Sequence, residues 1–397
     1  MGFTSFSRTQ ARGNRFTGDF GAVFSDPMSG ASQGNKAILV SYPDEFAKRE
    51  IAELARAAGY EVVQIVTQRD IIKSEYGVGV GKAQELEGMV EETHSDTIII
   101  DESVTSAQAN KLSAKTHAQV IDRERLILNI FARRATTTEA KLQVQLAELH
   151  YTLPRARDAV RYSVRGEQAG FMGMGEYAVD VKFRALRRQM AFIKEKLERS
   201  RTVRDLHTTE RRKLGVPFVS LAGYTSSGKT TLFNRLTAES KEASPKLFTT
   251  LTTTTRMVTF PNSKSKILLS DTVGFISRLP TYLVESFKST LDELRYADVV
   301  LLMVDASEPM DSIRTKFLSC RQTLSELEVD PGKILLVLNK MDLLPDRGRS
   351  NLEGDPLFRD FDMVKISATE GYGLRQLRNH ILKRTSFSRK PTSQLAH

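Results

Sequence analysis

The sequence predicts an α/β protein in which a domain with a mostly parallel sheet follows a small α/β domain and a long antiparallel helical hairpin. Short apolar runs alternate with helical stretches between residues 36 and 120 and again after residue 215. Such alternation is typical of parallel sheets with covering helices. Between these regions, apolar residues recur at three- and four-residue spacing, which is typical of helices packed as a coiled coil.

The small domain is expected over residues 36–122, with strands at 37–40, 61–66, 97–100 and 119–121. Residues 77–82, Gly-Val-Gly-Val-Gly-Lys, invite comparison with a phosphate-binding loop. Tyr76 stands where that motif needs its first glycine, and Ala83 follows the lysine. A turn that opens a helix is therefore the favoured interpretation, and a second nucleotide site is the alternative.

Residues 124–150 and 181–214 are predicted to form the two long helices of a subdomain at 123–214. The second carries Phe183, Leu186, Met190, Ile193 and Leu197 along one side, as in a coiled-coil seam. The connecting loop is expected between residues 154 and 176. The last domain is expected over residues 215–384.

A phosphate-binding loop lies at residues 223–230, which read Gly-Tyr-Thr-Ser-Ser-Gly-Lys-Thr and match G-x-x-x-x-G-K-[ST]. An apolar run precedes it and a helical stretch follows, so backbone N–H groups and a helix N-terminus can face the β-phosphate. Lys229 is expected to bridge the β- and γ-phosphates, and the Thr230 hydroxyl to ligate Mg²⁺. The predicted nucleotide-binding residues here are Gly223, Tyr224, Thr225, Ser226, Ser227, Gly228, Lys229, Thr230 and Thr231.

The base is predicted to be guanine because Asp342 ends the sequence Asn-Lys-Met-Asp after an apolar run. Its carboxylate can accept from both N1–H and the N2 amine of guanine, a donor pair that adenine lacks. Asn339 can tie this loop to the phosphate loop, and the Lys340 stem can cover the base. Backbone N–H groups of a second loop can support the base, so the predicted set is Asn339, Lys340, Met341, Asp342, Ser367, Ala368 and Thr369.

Two further segments, residues 248–255 and residues 271–275, are expected to sense the γ-phosphate. We call the first switch I, and we use the name switch II for the second together with the three residues that follow it. Asp271 ends a strand and can hold Mg²⁺ through water, and the Gly274 N–H can contact the γ-phosphate. Thr250 is expected to complete the Mg²⁺ shell in the triphosphate state, which makes Lys229, Thr250 and Gly274 the predicted catalytic residues. The predicted switch contacts are Phe248, Thr249, Thr250, Leu251, Thr252, Asp271, Thr272, Val273 and Gly274.

Phe275 occupies the position at which many small GTPases carry a glutamine that orients the attacking water. A phenylalanine cannot hydrogen-bond that water. We therefore expect slow intrinsic hydrolysis, with the water positioned by another group or by a partner.

These motifs, in this order, resemble those of the HflX family of translation-factor-related GTPases. The resemblance includes residues 223–234, 247–251 and 271–275 and extends upstream to residues 79–86, 120–132 and 139–149. It covers roughly residues 36 to 384. The resemblance implies a GTPase that binds the large ribosomal subunit and its RNA, with subunit splitting or a stress-related quality-control role.

Charge favours the same kind of partner. The chain has a net charge of +10, and residues 151–214 hold 16 Lys and Arg against 8 Asp and Glu. Such a concentration of charge is typical of a surface that binds phosphate backbones, although a solvated helix face would also explain part of it. The candidate RNA contacts are Arg155, Arg157, Arg161 and Arg165, which lie in the expected connecting loop.

Composition limits the location and assembly. No run of 18 apolar residues occurs, and a single cysteine, Cys320, excludes internal disulfides and suits a reducing compartment. We expect a cytoplasmic monomer. Residues 1–35 and 385–397 are expected to be flexible tails. The basic N-terminal tail leaves organellar import as an alternative.

Two other functions stay open at the level of sequence. The first is an RNA remodeller whose N-terminal domain also uses ATP. The second is a scaffold in which GTP sets conformation with negligible turnover, as Phe275 would allow.

Overall fold

The computed structural model describes residues 35–71, 74–166, 174–213, 215–237, 247–248, 251, 253–260, 265–344 and 354–387. The expected N-terminal tail thus lies almost entirely outside the described residues, as does the segment after residue 387. Among the described residues, no helix is both long and apolar enough to cross a membrane.

The N-terminal domain is a four-stranded parallel sheet in the order β2-β1-β3-β4. Its strands coincide with the four predicted runs, and the central ones are buried on both faces, as covered parallel sheets require. Gly79 is the N-cap of α2, which begins at Val80, so residues 77–82 are a turn followed by the first turn of a helix, as the favoured interpretation has it. The elements are β1 (Lys36–Ser41), α1 (Glu45–Ala57), β2 (Glu61–Thr67), α2 (Val80–Thr93), β3 (Thr97–Ile100), α3 (Ser106–Thr116) and β4 (Gln119–Asp122).

The described residues of the middle section form three helices, where two were predicted: α4 (Arg123–Arg134), α5 (Thr138–Gly166) and α6 (Met174–Lys213). The predicted first helix is interrupted because Ala135 is extended and the Thr137 hydroxyl accepts from Ala140 N at 3.2 Å, a side-chain cap that competes with helix continuation. The prediction that the connecting loop begins at residue 154 is wrong, because α5 continues through Pro154 to Gly166. Leu153 and Ala156 pack on the apolar cluster shared by α5 and α6, which offsets the hydrogen bond that proline cannot donate.

The C-terminal domain is a six-stranded sheet in the order β10-β9-β8-β5-β7-β6, parallel except for the edge strand β6. The helical segment between β7 and β8 is divided at Phe287, and the last helix extends past residue 384, where the domain was expected to end. The elements are β5 (Phe218–Gly223), α7 (Lys229–Thr237), β6 (Thr254–Thr259), β7 (Lys266–Asp271), α8 (Thr281–Ser286), α9 (Lys288–Tyr296), β8 (Val299–Asp305), α10 (Met310–Glu326), β9 (Ile334–Asn339), β10 (Met363–Lys365) and α11 (Leu374–Phe387).

The main apolar core runs through both domains. Buried residues of α1 and α4 belong to one cluster with residues of α8, α9, β8 and α10. The N-terminal domain is therefore packed on the C-terminal domain, and the contact passes beside the loop at residues 223–230.

Candidate nucleotide site

The loop at residues 223–230 connects β5 to α7 and requires glycine at two positions. Gly223 and Gly228 have φ values of +141° and +94°, a region in which side chains other than hydrogen are strained. A Cβ on Gly223 would lie 2.4 Å from the Met303 carbonyl oxygen, and one on Gly228 would lie 2.2 Å from Asn339 Nδ2. The loop is thus held tightly between two neighbouring strands.

Lys229 lies beneath this loop at the start of α7 and is 7% exposed. Its Nζ donates to the carbonyl oxygens of Gly223 at 3.0 Å and Tyr224 at 2.7 Å. Burial lowers the pKa of the ammonium to about 8, because a low dielectric disfavours the charged form. A bound polyphosphate would supply the opposite charge that such a buried cation favours.

Thr230 in the first turn of α7 and Asp271 at the end of β7 bring two oxygen atoms together. The Thr230 hydroxyl donates to Asp271 Oδ2 at 3.0 Å, and Asp271 is fully buried. A hydroxyl and a carboxylate are the hard oxygen donors that Mg²⁺ favours. Next to them, the Thr272 hydroxyl donates to Leu221 O at 2.6 Å, which fixes the end of β7 against β5.

Switch II lies directly on the phosphate loop. Thr225 N donates to Phe275 O at 2.8 Å, and Phe275 N donates to Gly223 O at 3.1 Å. A Cβ on Gly274 would lie 2.8 Å from Thr225 Cγ2 and 3.1 Å from Lys229 Nζ. Val273 and the Phe275 ring are buried, so this position presents no polar side chain to a nucleotide.

Asn339 joins three loops from a position that is 2% exposed. Its Nδ2 donates to Ser227 O at 2.8 Å, and its Oδ1 accepts from Ala368 N at 3.0 Å. Lys340 has a φ of +62° and its Nζ lies 2.5 Å from Asp305 Oδ2. Asp342 is exposed beside buried Met341, while Ser367 N donates to Tyr372 O at 3.0 Å in the loop that contains Thr369.

Switch I is anchored on the middle section of the chain. Phe248 has a φ of +56°, is 3% exposed and packs edge-on against Phe131 of α4, with ring centroids 4.8 Å apart. Leu251 is buried in the same core. Thr249, Thr250 and Thr252, three predicted nucleotide contacts, lie outside the described residues.

The candidate RNA contacts lie on helix α5, not in a loop. Arg155 is engaged within the protein: it pairs with Asp122, donates to Val104 O at 3.2 Å and lies 3.5 Å from the centre of the Tyr151 ring. Arg157 lies 5.6 Å from the centre of the Phe183 ring. For Arg161 and Arg165 only the helical backbone belongs to the described part of the chain.

Sequence reasoning missed the polar residues that connect the nucleotide loops to the N-terminal domain. Ser277 of switch II and Glu50 of α1 are both buried, and Ser277 N donates to Glu50 Oε1 at 3.0 Å. Arg123 at the start of α4 is 3% exposed and pairs with Glu50 at 2.7 Å. The only hint in the sequence is that Ser277 and Arg278 are polar within an otherwise apolar stretch.

Three protein-family models match successive parts of the chain. Residues 46–132 match "GTP-binding GTPase N-terminal", residues 134–211 match "GTP-binding GTPase Middle Region", and residues 218–340 match "50S ribosome-binding GTPase". The matches follow the three structural sections described above.

Individual relatives match most of the chain. The chain is 42% identical over 335 residues to a protein named GTPase HflX from Thermococcus kodakarensis, covering 83% of this chain and 75% of the relative. It is 36% identical over 363 residues to GTPase HflX from Escherichia coli, covering 89% of this chain and 83% of the relative. A crystal structure of SsGBP in complex with GDP aligns with a TM-score of 0.50 and 25% identity, covering 89% of this chain and 99% of that one.

Proposed function

This chain belongs to the HflX family of GTPases, and from that premise we propose that it hydrolyses GTP in response to the large ribosomal subunit in the cytoplasm. That it binds GTP and GDP and is a GTP-hydrolysing enzyme follows from the family. The proposal adds four points: the ribosomal target, the requirement for Mg²⁺, the monomeric state and the slow intrinsic hydrolysis that the ribosome accelerates.

The observation that supports a ribosomal target is the position of the basic section. Residues 151–214 carry the excess of Lys and Arg, and the family model that matches the nucleotide domain is described as a 50S ribosome-binding GTPase. A basic surface attached to a GTPase domain is suited to the phosphate backbone of ribosomal RNA. Among the four arginines predicted to contact RNA, Arg157 is a better candidate than Arg155, because Arg155 already pairs with Asp122.

The geometry supports a proposed role for each group around the phosphates. Backbone N–H groups of the phosphate loop would hold the β-phosphate, and Lys229 would leave the Gly223 and Tyr224 carbonyls to neutralise charge on the β- and γ-phosphates. Thr230 and Asp271 would hold Mg²⁺, which would neutralise charge that develops on the phosphate oxygens. Asn339 would hold the base loop in register, with Asp342 reading guanine.

Intrinsic hydrolysis is proposed to be slow because Phe275 is 1% exposed and packs in the core. Its side chain has no polar atom with which to orient a water molecule. Contact with the ribosome would then complete the catalytic arrangement, by supplying or ordering the group that positions the water.

Sedimentation with purified large subunits tests this proposal. We expect the protein to pellet with subunits in the presence of a non-hydrolysable GTP analogue and to stay in the supernatant with GDP. Turnover should rise in proportion to added subunits. Equal pelleting with both nucleotides, or turnover that subunits leave unchanged, would refute the ribosomal role while leaving the GTPase assignment intact.

A further inference from the structure

The carboxyl ends of β1 and β3 lie at the topological switch point of the N-terminal sheet, where open α/β sheets bind ligands, and we call this place the crevice. In the order β2-β1-β3-β4 the chain reverses direction between β1 and β3, and ligands bind beyond the carboxyl ends of the strands at such a point. Here Asp101 accepts from the Ser41 hydroxyl at 2.9 Å, and Glu102 accepts from the Tyr42 hydroxyl at 2.7 Å. The crevice is thus lined by carboxylates, which suit a cation and repel a phosphate group.

A guanidinium group from switch II fills this crevice. Arg278 Nη2 donates to Asp101 Oδ1 at 2.9 Å, and Nη1 donates to the Asp101 carbonyl at 3.1 Å and to Glu102 Oε2 at 3.2 Å. The guanidinium lies 5.2 Å from the centre of the Tyr42 ring. A planar group with several donors in fixed directions matches this arrangement of acceptors and ring better than an ammonium does.

The charges behind the crevice require a second cation. Asp101 and Glu50 are both buried and share Arg123, which pairs with them at 2.8 and 2.7 Å. One buried guanidinium thus faces two buried carboxylates. Arg278 supplies a second positive charge, so the two buried carboxylates are balanced when switch II is docked and carry excess negative charge when it is not.

The same cluster fixes the backbone of switch II and the phosphate loop. Ser277 N donates to Glu50 Oε1 at 3.0 Å and to the Tyr224 hydroxyl at 2.6 Å, and Ser277 O accepts from Arg123 at 2.9 Å. The Tyr224 hydroxyl, which belongs to the phosphate loop, also donates to Glu50. Glu50 of the N-terminal domain therefore links both nucleotide loops.

Docking goes together with one particular conformation of switch II. Arg278 has a φ of +49°, which is uncommon for a residue with a Cβ and persists only where surrounding contacts impose it. In this conformation Phe275 is bonded to the phosphate loop, and Gly274 lies against Thr225 and Lys229. A γ-phosphate that contacts both Lys229 Nζ and the Gly274 N–H needs room between them, so it must draw Gly274 away from the loop.

We propose that the crevice beyond β1 and β3 is a guanidinium-binding site whose ligand is Arg278, and that its occupation favours GDP over GTP. A γ-phosphate that moves switch II withdraws Arg278 from Asp101. By linkage, filling the crevice opposes GTP binding to the same extent that GTP binding opposes filling the crevice. This effect on the preference between GDP and GTP does not depend on the ribosomal target.

Replacement of Arg278 in the full-length chain tests the site. Affinities for GDP and for a non-hydrolysable GTP analogue are measured by calorimetry on wild type, R278A and R278K. We expect the ratio of affinities in R278A to shift about tenfold toward the triphosphate, which is within the usual range of coupling between sites. R278K keeps the charge without the planar fork and should shift the ratio less. R295A is the matched control, since Arg295 is a partly exposed arginine of α9 that pairs with Glu328, and it should leave the ratio unchanged.

Chemical rescue identifies the crevice as the cause. Ethylguanidinium at millimolar concentration should return the R278A ratio toward the wild-type value, whereas ethylammonium at equal concentration should not. An unchanged ratio in R278A, a shift toward GDP, an equal shift in R295A, or rescue by both cations alike would each overturn the proposal.

Discussion

Replacement of Asn339 by alanine should weaken guanine nucleotide binding more than any single contact with the nucleotide would suggest. The side chain is 2% exposed and joins the phosphate loop, through Ser227 O, to the loop that contains Ala368. Alanine removes both hydrogen bonds at once. It also leaves empty space beside Gly228, where Asn339 Nδ2 now lies only 2.2 Å from the point that a Cβ would occupy.

The magnitude follows from the two groups that lose their partner. A buried donor or acceptor left unsatisfied costs about 1–3 kcal/mol, so Ala368 N and Ser227 O together cost about 2–4 kcal/mol after partial relaxation. Since 1.4 kcal/mol corresponds to roughly tenfold in a binding constant, even half of this cost expressed in the complex weakens GDP binding by roughly fivefold to thirtyfold.

Calorimetric titration of wild type, N339A and N339D with GDP measures this loss, and circular dichroism checks that each variant is folded. N339D is the matched control because it has the same shape and still accepts from Ala368 N. It places a carboxylate oxygen against Ser227 O, so it should lose GDP affinity while retaining preference for guanine over hypoxanthine nucleotides. N339A should lose part of the GDP affinity and part of the preference for guanine. GDP affinity in N339A within twofold of wild type would refute the tethering argument.

Three further changes test other parts of the site. K229A should abolish triphosphate binding in a fluorescence titration. The same variant tests the effect of burial on the Lys229 ammonium, whose pKa is about 8 in the folded chain against 10.5 in the unfolded chain. Between these two pH values the folded state binds fewer protons than the unfolded state. Wild-type stability relative to K229A should therefore rise as pH increases from about 8 toward 10.5, and a constant difference in urea unfolding across that window would contradict it. D342N should shift preference from guanosine to xanthosine diphosphate in competition binding, and an unchanged order of affinities would exclude base reading by Asp342. F131A should lower the free energy of unfolding by about 3–5 kcal/mol and should speed hydrogen exchange around Phe248 more than F131L does. Protection from exchange equal to that of wild type would show that switch I is anchored elsewhere.

The sheets were predictable from sequence because parallel strands buried on both faces are nearly continuous apolar runs. Val299–Asp305 is buried at every position, and no helix of a globular surface has that pattern. The phosphate loop was predictable for a different reason. Any chain that forms this loop needs glycine at the positions with positive φ, so the requirement is visible in the local sequence. Both features depend on neighbours close in sequence.

Helix boundaries and tertiary polar contacts could not be predicted in the same way. The break at Ala135 falls within a pattern whose apolar spacing continues on both sides, and only the capping by Thr137 interrupts it. Arg155 reads as a surface residue of a basic segment, although Asp122 and the Tyr151 ring hold it. These outcomes depend on which residues meet in space, and a single sequence contains no record of that.

Glu50 and Arg123 illustrate the same limit at the nucleotide site. A glutamate on an amphipathic helix and an arginine at a helix start are ordinarily exposed, and nothing in their local sequence indicates burial. They are buried because two domains meet there, and the cost of removing their charges from water is offset by the pairs with Asp101 and with each other.

The position of Phe275 connects these observations. In GTPases that carry a polar residue there, switch II acts on the water directly, but here that side chain is part of the core. The polar groups of switch II come later, at Ser277 and Arg278, and they face the N-terminal domain. Switch I is held from the same side, because its first residue, Phe248, packs against Phe131. Both segments that we expect to respond to the γ-phosphate are held by the N-terminal half. A change of nucleotide that moves either one must therefore change the contact between the two halves.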